Sequence, residues 1–119
     1  MAHYLVRAYP DHTKLPALKD LIQDGEVAKL EPYGQELDQA LRRARLDPNT
    51  GQAVWEEEDH CIPPLKAERE EVLDTFFEDY ELEEVDPGAG WAEIEALPSL
   101  WWDPIEAAET NVKPDMAED

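Results

Sequence analysis

The assignment of the fold depends on residues 26–31, EVAKLE, a short segment between two predicted helices. Side chains around Val27 and Lys29 alternate in character and Pro32 closes the segment, which is the pattern of a short strand or an extended connection. The sheet has four strands if this segment pairs into it, and three if it does not. We therefore predict a weak strand at 26–31 and extend the topology outward from it.

Helices are predicted on both sides of this segment. On the N-terminal side, Pro16 fits a first helical turn, leucine and isoleucine residues recur at helical spacing, and Gly25 provides a C-terminal stop. On the C-terminal side, residues 35–46 carry acids at the start and arginines at the end, as the helix dipole favours. The second helix is therefore predicted to end at Leu46.

Three further segments have the pattern of strands. Residues 3–9 and 53–60 include β-branched and aromatic side chains, and residues 80–85 alternate apolar side chains with acids. Between the last two strands, apolar residues over 65–77 follow a helical stripe, and Glu68 is among the acids assigned to the water-facing side. The predicted order is strand, helix, weak strand, helix, strand, helix, strand.

Removal of the helix at 35–46 leaves the order β-α-β-β-α-β, and over residues 3–86 the chain resembles the ferredoxin-like fold in this respect. The predicted fold class is therefore α+β, a ferredoxin-like sheet with an inserted helix and a Trp-rich C-terminal extension. The predicted organisation is an α+β domain at 1–89, a Trp-rich extension at 90–105 packed on the domain or on a partner, and an acidic mobile tail at 106–119.

Acidic residues dominate the chain and are unevenly distributed. The formal net charge is -20, with 12 acidic and 7 basic residues in 1–60 against 18 acidic and 3 basic residues in 61–119. Such a surface repels nucleic acid phosphates and anionic lipid, and it attracts a basic partner. Solubility in high salt would favour the same composition, although it should acidify both halves. Mimicry of DNA by the acids of residues 78–86 is a third explanation.

Other features restrict the class of protein. No apolar run approaches the ~18 residues of a membrane span, and the N-terminus lacks the pattern of a signal peptide. The single cysteine, Cys61, excludes an internal disulfide and fits a reducing cytoplasm, which is the predicted location. The motifs of nucleotide-binding, dinucleotide-binding, α/β-hydrolase and zincin sites do not occur, and no cofactor is predicted.

The leading functional prediction is a small non-catalytic protein-binding or regulatory module, such as an accessory subunit of a larger complex. Its acidic half would steer a partner with a basic surface, or a second copy would bind, while aromatic side chains anchor the contact. Binding of nucleic acid through a basic face and binding to membranes are not expected. The predicted partner-binding residues are Trp91, Leu97, Trp101 and Trp102. Packing of these rings on their own domain is the other explanation.

The alternative function is a small homodimeric ferredoxin-like enzyme or ligand-binding protein with a pocket on the sheet face. Its predicted lining is Arg7, Tyr9, His12, Glu58 and His60, of which His12, His60 and Glu58 are the alternative catalytic residues. Glu58 and His60 are also the alternative metal ligands, because imidazole and carboxylate together bind divalent metals. Three or four ligands are needed, and no metal site is predicted.

Two charged clusters have both structural and binding interpretations. Arg7 is predicted to meet Glu56 or Glu58 across neighbouring strands, as an ion pair on the sheet face. The arginines of residues 42–45 are predicted to pair with acids of their own helix, or to dock an acidic segment. Cys61 follows His60 directly, and neighbours on a strand point to opposite faces, so a nucleophile with its base is not predicted there.

Overall fold

In residues 2–59 and 65–101, which the computed structural model describes, the chain forms an α+β fold around one four-stranded antiparallel sheet. In chain order the elements are β1 (Ala2–Pro10), α1 (Leu15–Gln23), α2 (Gly34–Arg42), β2 (Arg45–Leu46), β3 (Ala53–Asp59), α3 (Lys66–Glu71), a 3-10 turn (Leu73–Thr75), β4 (Phe77–Val85) and α4 (Ala89–Ile94). The strands lie in the order β2-β3-β1-β4. Strand β1 pairs with β3 on one side and with β4 on the other.

Strand β1 lies inside the sheet because its middle residues are apolar on both faces. Val6 and Ala8 are fully buried on one face, and Leu5 is fully buried on the other. Successive side chains of a strand point to opposite faces, so this short apolar run requires cover on both sides of the sheet. The register sets Leu5 between Glu56 of β3 and Glu83 of β4.

The main core lies between one face of the sheet and the helices α1 and α2. Trp55 of β3 and Phe77 of β4 pack there with ring centroids 5.2 Å apart. Full burial of each large apolar side chain contributes about 1.5–3 kcal/mol to stability. The other large apolar side chains that are fully buried on this side of the sheet include Leu18, Ile22, Leu37, Leu41, Leu65 and Leu73.

No helix in the described part of the chain is long and apolar enough to cross a membrane.

Helix α4 covers the middle of the opposite face. Ile94 packs there on Leu5 and Val54, which are also buried. The partly buried side chains around this second cluster are Val85, Trp91 and Leu97. The sheet therefore has protein packed on both of its faces.

The prediction of a strand at 26–31 is wrong. The segment forms consecutive turns, in which the backbone N–H of Glu26 donates to the Leu21 carbonyl at 2.9 Å and that of Leu30 donates to the Val27 carbonyl at 3.1 Å. Val27 is 1% exposed, so its side chain belongs to the core. These turns satisfy backbone groups locally, and they require no neighbouring strand.

The fourth strand is instead Arg45–Leu46, which lies in the segment predicted as the end of the 35–46 helix. Helix α2 ends at Arg42, three residues earlier than Arg45. The two residues of β2 then pair with Val54 and Ala53 of β3. A two-residue strand is too short to show a periodicity of its own. The helix predicted from the preceding residues was therefore extended to include these two positions.

The other predicted elements are confirmed with adjusted limits. The strands at 3–9, 53–60 and 80–85 correspond to β1, β3 and β4 within the described residues. The helix predicted over 65–77 is shorter, because a 3-10 turn follows α3 and β4 begins at Phe77. The prediction that Glu68 faces water is wrong, since it is fully buried.

The predicted division of the chain reaches beyond what the structure describes. The boundary between the domain at 1–89 and the extension at 90–105 stays a prediction. Residues 106–119, predicted as an acidic tail, lie outside the described residues.

Candidate functional site

Strand β4 forms one edge of the sheet. Within residues 2–59 and 65–101 it pairs only with β1, so its outer side has no strand beside it. Such an edge presents backbone N–H and C=O groups that can pair with another extended chain. We call residues 78–85 the acidic edge. Its exposed side chains are Glu78, Asp79, Glu81, Glu83 and Glu84.

The opposite edge of the sheet is covered by the chain itself. Residues 98–100 run beside β2, where the backbone N–H of Leu46 donates to the Pro98 carbonyl at 2.8 Å. The N–H of Leu100 donates in turn to the Ala44 carbonyl at 2.9 Å. The two edges of the sheet therefore differ: in the described part of the chain, only the acidic edge has no backbone partner on its outer side.

Two arginines lie close to the acidic edge and neutralise little of its charge. Arg7 contacts Glu83 at 3.4 Å and Glu93 of α4 at 3.0 Å. Arg69 lies over the Tyr80 ring, 4.3 Å from its centroid. Among the described residues, the remaining acids of the edge have no ion-pair partner. Exposed pairs of this kind contribute little, so the edge keeps a strongly negative potential.

Side chains with apolar surface alternate with the acids of this strand. Tyr80 and Leu82 are partly buried and pack against the main core. Burial, together with a hydrogen bond to Asp74 and the charge of that residue, raises the pKa of Tyr80. The phenol therefore stays neutral, and the strand offers rings and methyl groups between its carboxylates.

The residues predicted to line a sheet-face pocket do not come together. Glu58 lies opposite His3 at one end of β1, whereas His12 follows the other end of that strand and is exposed. A nine-residue strand spans about 30 Å, so His12 and Glu58 lie far apart within one chain, and their joint catalytic role in a homodimer stays a prediction. Tyr9 is 40% exposed at the same end as His12. His60 lies outside the described residues.

The predicted pairing of Arg7 with Glu56 or Glu58 is wrong. Arg7 lies opposite Val54 in the register of β1 with β3, and its guanidinium turns instead to β4 and α4. Ile94 and Leu97 cover the adjacent part of this face, where the pocket was predicted. The face is therefore occupied there by this chain's own side chains.

Only one member of the alternative metal pair, Glu58, lies in the described part of the chain. No group of three His, Cys, Asp or Glu side chains among them could hold a metal ion. Glu58 is partly buried and its backbone N–H donates to a carboxylate oxygen of Glu36 at 2.9 Å. His60 and Cys61 lie outside the described residues, so the pair of Glu58 and His60 stays a prediction.

The basic cluster at 42–45 is engaged within the chain. Its predicted pairing along the helix is confirmed for Arg42, and the other two arginines reach the C-terminal segment. The cluster therefore joins the C-terminal end of α2 to α4, and β2 to the residue Leu97 after α4. The contacts are Arg42 with Asp38 at 2.9 Å, Arg43 with the Trp91 ring centroid at 4.0 Å, and Arg45 with the Leu97 carbonyl at 2.9 Å.

Among the predicted partner-binding residues, Trp101 belongs to the main core. It is 4% exposed, and its indole N–H donates to the Leu41 carbonyl at 2.8 Å. Trp91 and Leu97 are partly buried on the α4 side, and Trp102 lies outside the described residues. A partner-binding role for these four residues stays a prediction, and the Trp101 ring is occupied within its own chain.

Glu56 fixes the start of α4 to the sheet, which the sequence did not indicate. Its side chain is 3% exposed. One carboxylate oxygen accepts hydrogen bonds from the backbone N–H groups of Gly90 (2.8 Å) and Trp91 (3.1 Å), and the other accepts one from the N–H of Gly88 (2.8 Å). His3 Nδ1 lies 3.2 Å from the second oxygen. Burial alone would raise the pKa of Glu56, but these hydrogen bonds outweigh it and hold the pKa below its ordinary value.

A buried acid pair, Glu57 and Glu68, joins β3 to α3. The two residues are 1% and 0% exposed, and the indole N–H of Trp55 donates to Glu57 Oε1 at 2.9 Å. Burial first, and then the hydrogen bond and charge of Glu68, raise the pKa of Glu57; burial also raises that of Glu68. Asp59, whose Oδ2 accepts the Leu65 N–H at 2.6 Å, adds a further negative charge nearby.

We expect Glu57→Gln to raise the free energy of unfolding at pH 7 by about 1–2 kcal/mol. The amide oxygen still accepts from Trp55, and an amide does not ionise, so folding no longer requires an acid to be kept protonated or to be charged in a buried site. Because the folded-state pKa of Glu57 is raised, the wild type loses stability as pH rises above the ordinary glutamate pKa, and the variant should lose less. Urea unfolding at about pH 5, 7 and 8 measures this, with exposed Glu95→Gln as the control. A variant less stable than wild type throughout would contradict it.

Comparison of the chain with protein families, curated proteins and solved structures finds no match. The features that bear on function are therefore those of the chain itself. They are a covered sheet edge, an open sheet edge, and a row of carboxylates along the open one.

Proposed function

We propose that this protein is a non-catalytic protein-binding module that holds a basic segment of a partner protein at the acidic edge. The observation that carries the proposal is the contrast between the two sheet edges: residues 98–100 cover β2, whereas β4 has no partner beyond β1 in the described chain. Extended segments of other proteins bind to open edges of this kind through main-chain hydrogen bonds. The carboxylates select a basic segment.

The charge of the whole chain supports the same proposal at longer range. The net charge is -20, and no Lys or Arg occurs from Glu70 to Val112, a stretch that contains all of β4. Such a field concentrates basic partners near the surface and speeds association, and salt weakens this effect. A module of this type would serve as a regulatory protein or accessory subunit, and we propose the cytoplasm as its location.

We also propose that the sheet is ferredoxin-like, with α2 as the inserted helix. The order of elements and the strand order β2-β3-β1-β4, with every neighbouring pair antiparallel, support this proposal. The Trp-rich extension at 90–105 was expected to anchor a partner. We now propose the acidic edge as the anchor, because Trp101 is used in the chain's own core.

Reversal of charge on the acidic edge tests the proposed function. The variant Glu81→Lys with Glu84→Lys should bind a synthetic Lys-rich peptide at least about tenfold more weakly than wild type does. Backbone amide shifts in NMR spectra report where the peptide binds, and for wild type the largest shifts should lie in residues 77–85. Both replaced side chains are exposed, so the variant should keep the wild-type fold.

The matched control is Asp20→Lys with Asp24→Lys, which changes the net charge equally at exposed positions of α1 and its C-terminal cap. This control should change affinity by no more than about threefold, through the general field alone. If both double variants weaken binding equally, or if the amide shifts spread evenly over the surface, the acidic edge is not a binding site. The acidity would then be explained by solubility.

A further inference from the structure

The side chains of residues 80–83 of β4 divide by character between the two faces of the sheet. Glu83 lies opposite Leu5 on the face that α4 covers, and Leu82 lies opposite Val6 on the face of the main core. The division ends at residue 83, because Glu84 lies opposite Tyr4 on the main-core face and Val85 packs with Leu5 on the α4 face. The acidic edge therefore carries the pair Glu81 and Glu83 on one face and the pair Tyr80 and Leu82 on the other.

We propose that the partner segment binds along β4 as a fifth strand and alternates cationic with apolar residues. This inference rests on the proposed function and names the ligand of the same edge. Side chains directly opposite one another in a sheet share a face and interact. A fifth strand would therefore set cationic residues against Glu81 and Glu83, and apolar residues against Tyr80 and Leu82.

The unbalanced charge of the edge supports cations on that face. Glu81 has no ion-pair partner among the described residues, and Glu83 shares Arg7 with Glu93. Two residues of a strand that share a face lie about 6.7 Å apart, so one flexible Lys or Arg at every second position can reach each carboxylate. A segment with acids at these positions would be repelled.

The exposed parts of Tyr80 and Leu82 support apolar residues on the other face. Both side chains pack against the main core and stay partly exposed, and the guanidinium of Arg69 covers part of the Tyr80 ring. An added strand would cover this remaining apolar surface, and its removal from water favours binding. The neutral Tyr80 ring also tolerates an apolar neighbour without loss of a charge.

The geometry of β4 also limits the length of the segment. Residues 81–85 pair with residues 7–3 of β1 without interruption, but the register shifts between Arg7 and Tyr9. Asp79, on the far side of that shift, has a positive φ of 56°. An irregularity of this kind bends the strand and interrupts regular pairing. The regular part of the edge therefore fits a segment of about five or six residues.

Synthetic peptides test this proposal with the wild-type full-length chain. The alternating peptide consists of four Lys-Val repeats, and the block peptide has the same residues as four Lys followed by four Val. Both peptides carry blocked termini, so they have equal charge. The alternating peptide should bind at least about tenfold more tightly. It should also slow hydrogen exchange of outward-facing amides in residues 80–85.

N-methylation separates strand addition from simple attraction between charges. One version of the alternating peptide is methylated at the amide nitrogens of lysines and another at those of valines, which blocks opposite hydrogen-bonding edges of an extended peptide. One version should lose about tenfold or more in affinity because its edge facing β4 can no longer donate, while the other stays close to the parent peptide.

The outcomes distinguish the two proposals. The proposal of a fifth strand is wrong if the alternating and block peptides bind equally, or if both methylated versions bind as tightly as the parent peptide. In either case, amide shifts that still lie in residues 77–85 would leave the binding of basic segments at this edge supported. If no peptide affects residues 77–85, both proposals are wrong. A preference for the alternating peptide, together with loss of binding in only one methylated version, supports both.

Discussion

Glu56→Ala is expected to lower the free energy of unfolding by about 4 kcal/mol, because one buried carboxylate accepts three backbone N–H groups at the start of α4. Its removal leaves the amides of Gly88, Gly90 and Trp91 without their acceptor. Gly90 is buried, so water replaces the lost hydrogen bond poorly at that position. Helix α4 has only six residues and depends on this attachment to stay on Leu5 and Val54.

The effect of Glu56→Ala should also depend on pH. Since the folded-state pKa of Glu56 is lowered, its contribution is fully present above the ordinary glutamate pKa and is lost as pH falls through the folded-state value. The stabilities of wild type and variant should therefore converge on acidification. Urea unfolding at about pH 7, 5 and 3 measures the difference.

Glu58→Ala is the matched control for this prediction. Glu58 lies on the same strand and the same face as Glu56, and it donates to Glu36 through its backbone N–H, a hydrogen bond that does not use its side chain. We expect a loss below about 1 kcal/mol at pH 7. Equal losses in the two variants would show that the carboxylate of Glu56 does not hold α4 to the sheet.

The sequence could predict that Glu56 and Glu57 face opposite sides of a strand, but not what meets them. Alternation assigns each side chain to a face of the sheet, and it does not identify the groups packed against that face. Burial of Glu56 depends on the backbone of residues 88–91, which lies more than thirty positions away. Burial of Glu57 depends on Glu68, which the helical stripe had assigned to water. Such long-range partners leave no local periodicity.

The same physical distinction explains which strands could be predicted. Strands β1, β3 and β4 are seven to nine residues long, and β-branched and aromatic residues in the first two and alternation in the third allowed the sequence to indicate them. Strand β2 has two residues and owes its position to pairing with β3 and to the hydrogen bonds of residues 98–100. The sequence shows the acids of β4, but only the strand order shows that this strand lies at an open edge of the sheet.

Gly34→Ala is expected to lower the free energy of unfolding by about 3 kcal/mol. A Cβ at this position would overlap the Val27 carbonyl oxygen and lie 3.0 Å from that of Ala28. Both oxygens belong to the backbone of the 26–31 turns, which the hydrogen bond from Gly34 N–H to Leu30 (2.6 Å) ties to the start of α2. A backbone held in this way cannot move aside as a flexible side chain could.

Helix propensity opposes this expectation, and the sign of the measured change therefore decides between two effects. Alanine is favoured over glycine inside a helix by about 1 kcal/mol, so Gly34→Ala would be stabilising if the turns could withdraw freely. The neighbouring exposed Gln35→Ala gains propensity without a clash and should change stability by less than about 0.5 kcal/mol. Urea unfolding of both variants makes the comparison. A Gly34→Ala protein as stable as wild type would mean that Val27, buried as it is, does not fix the backbone against α2.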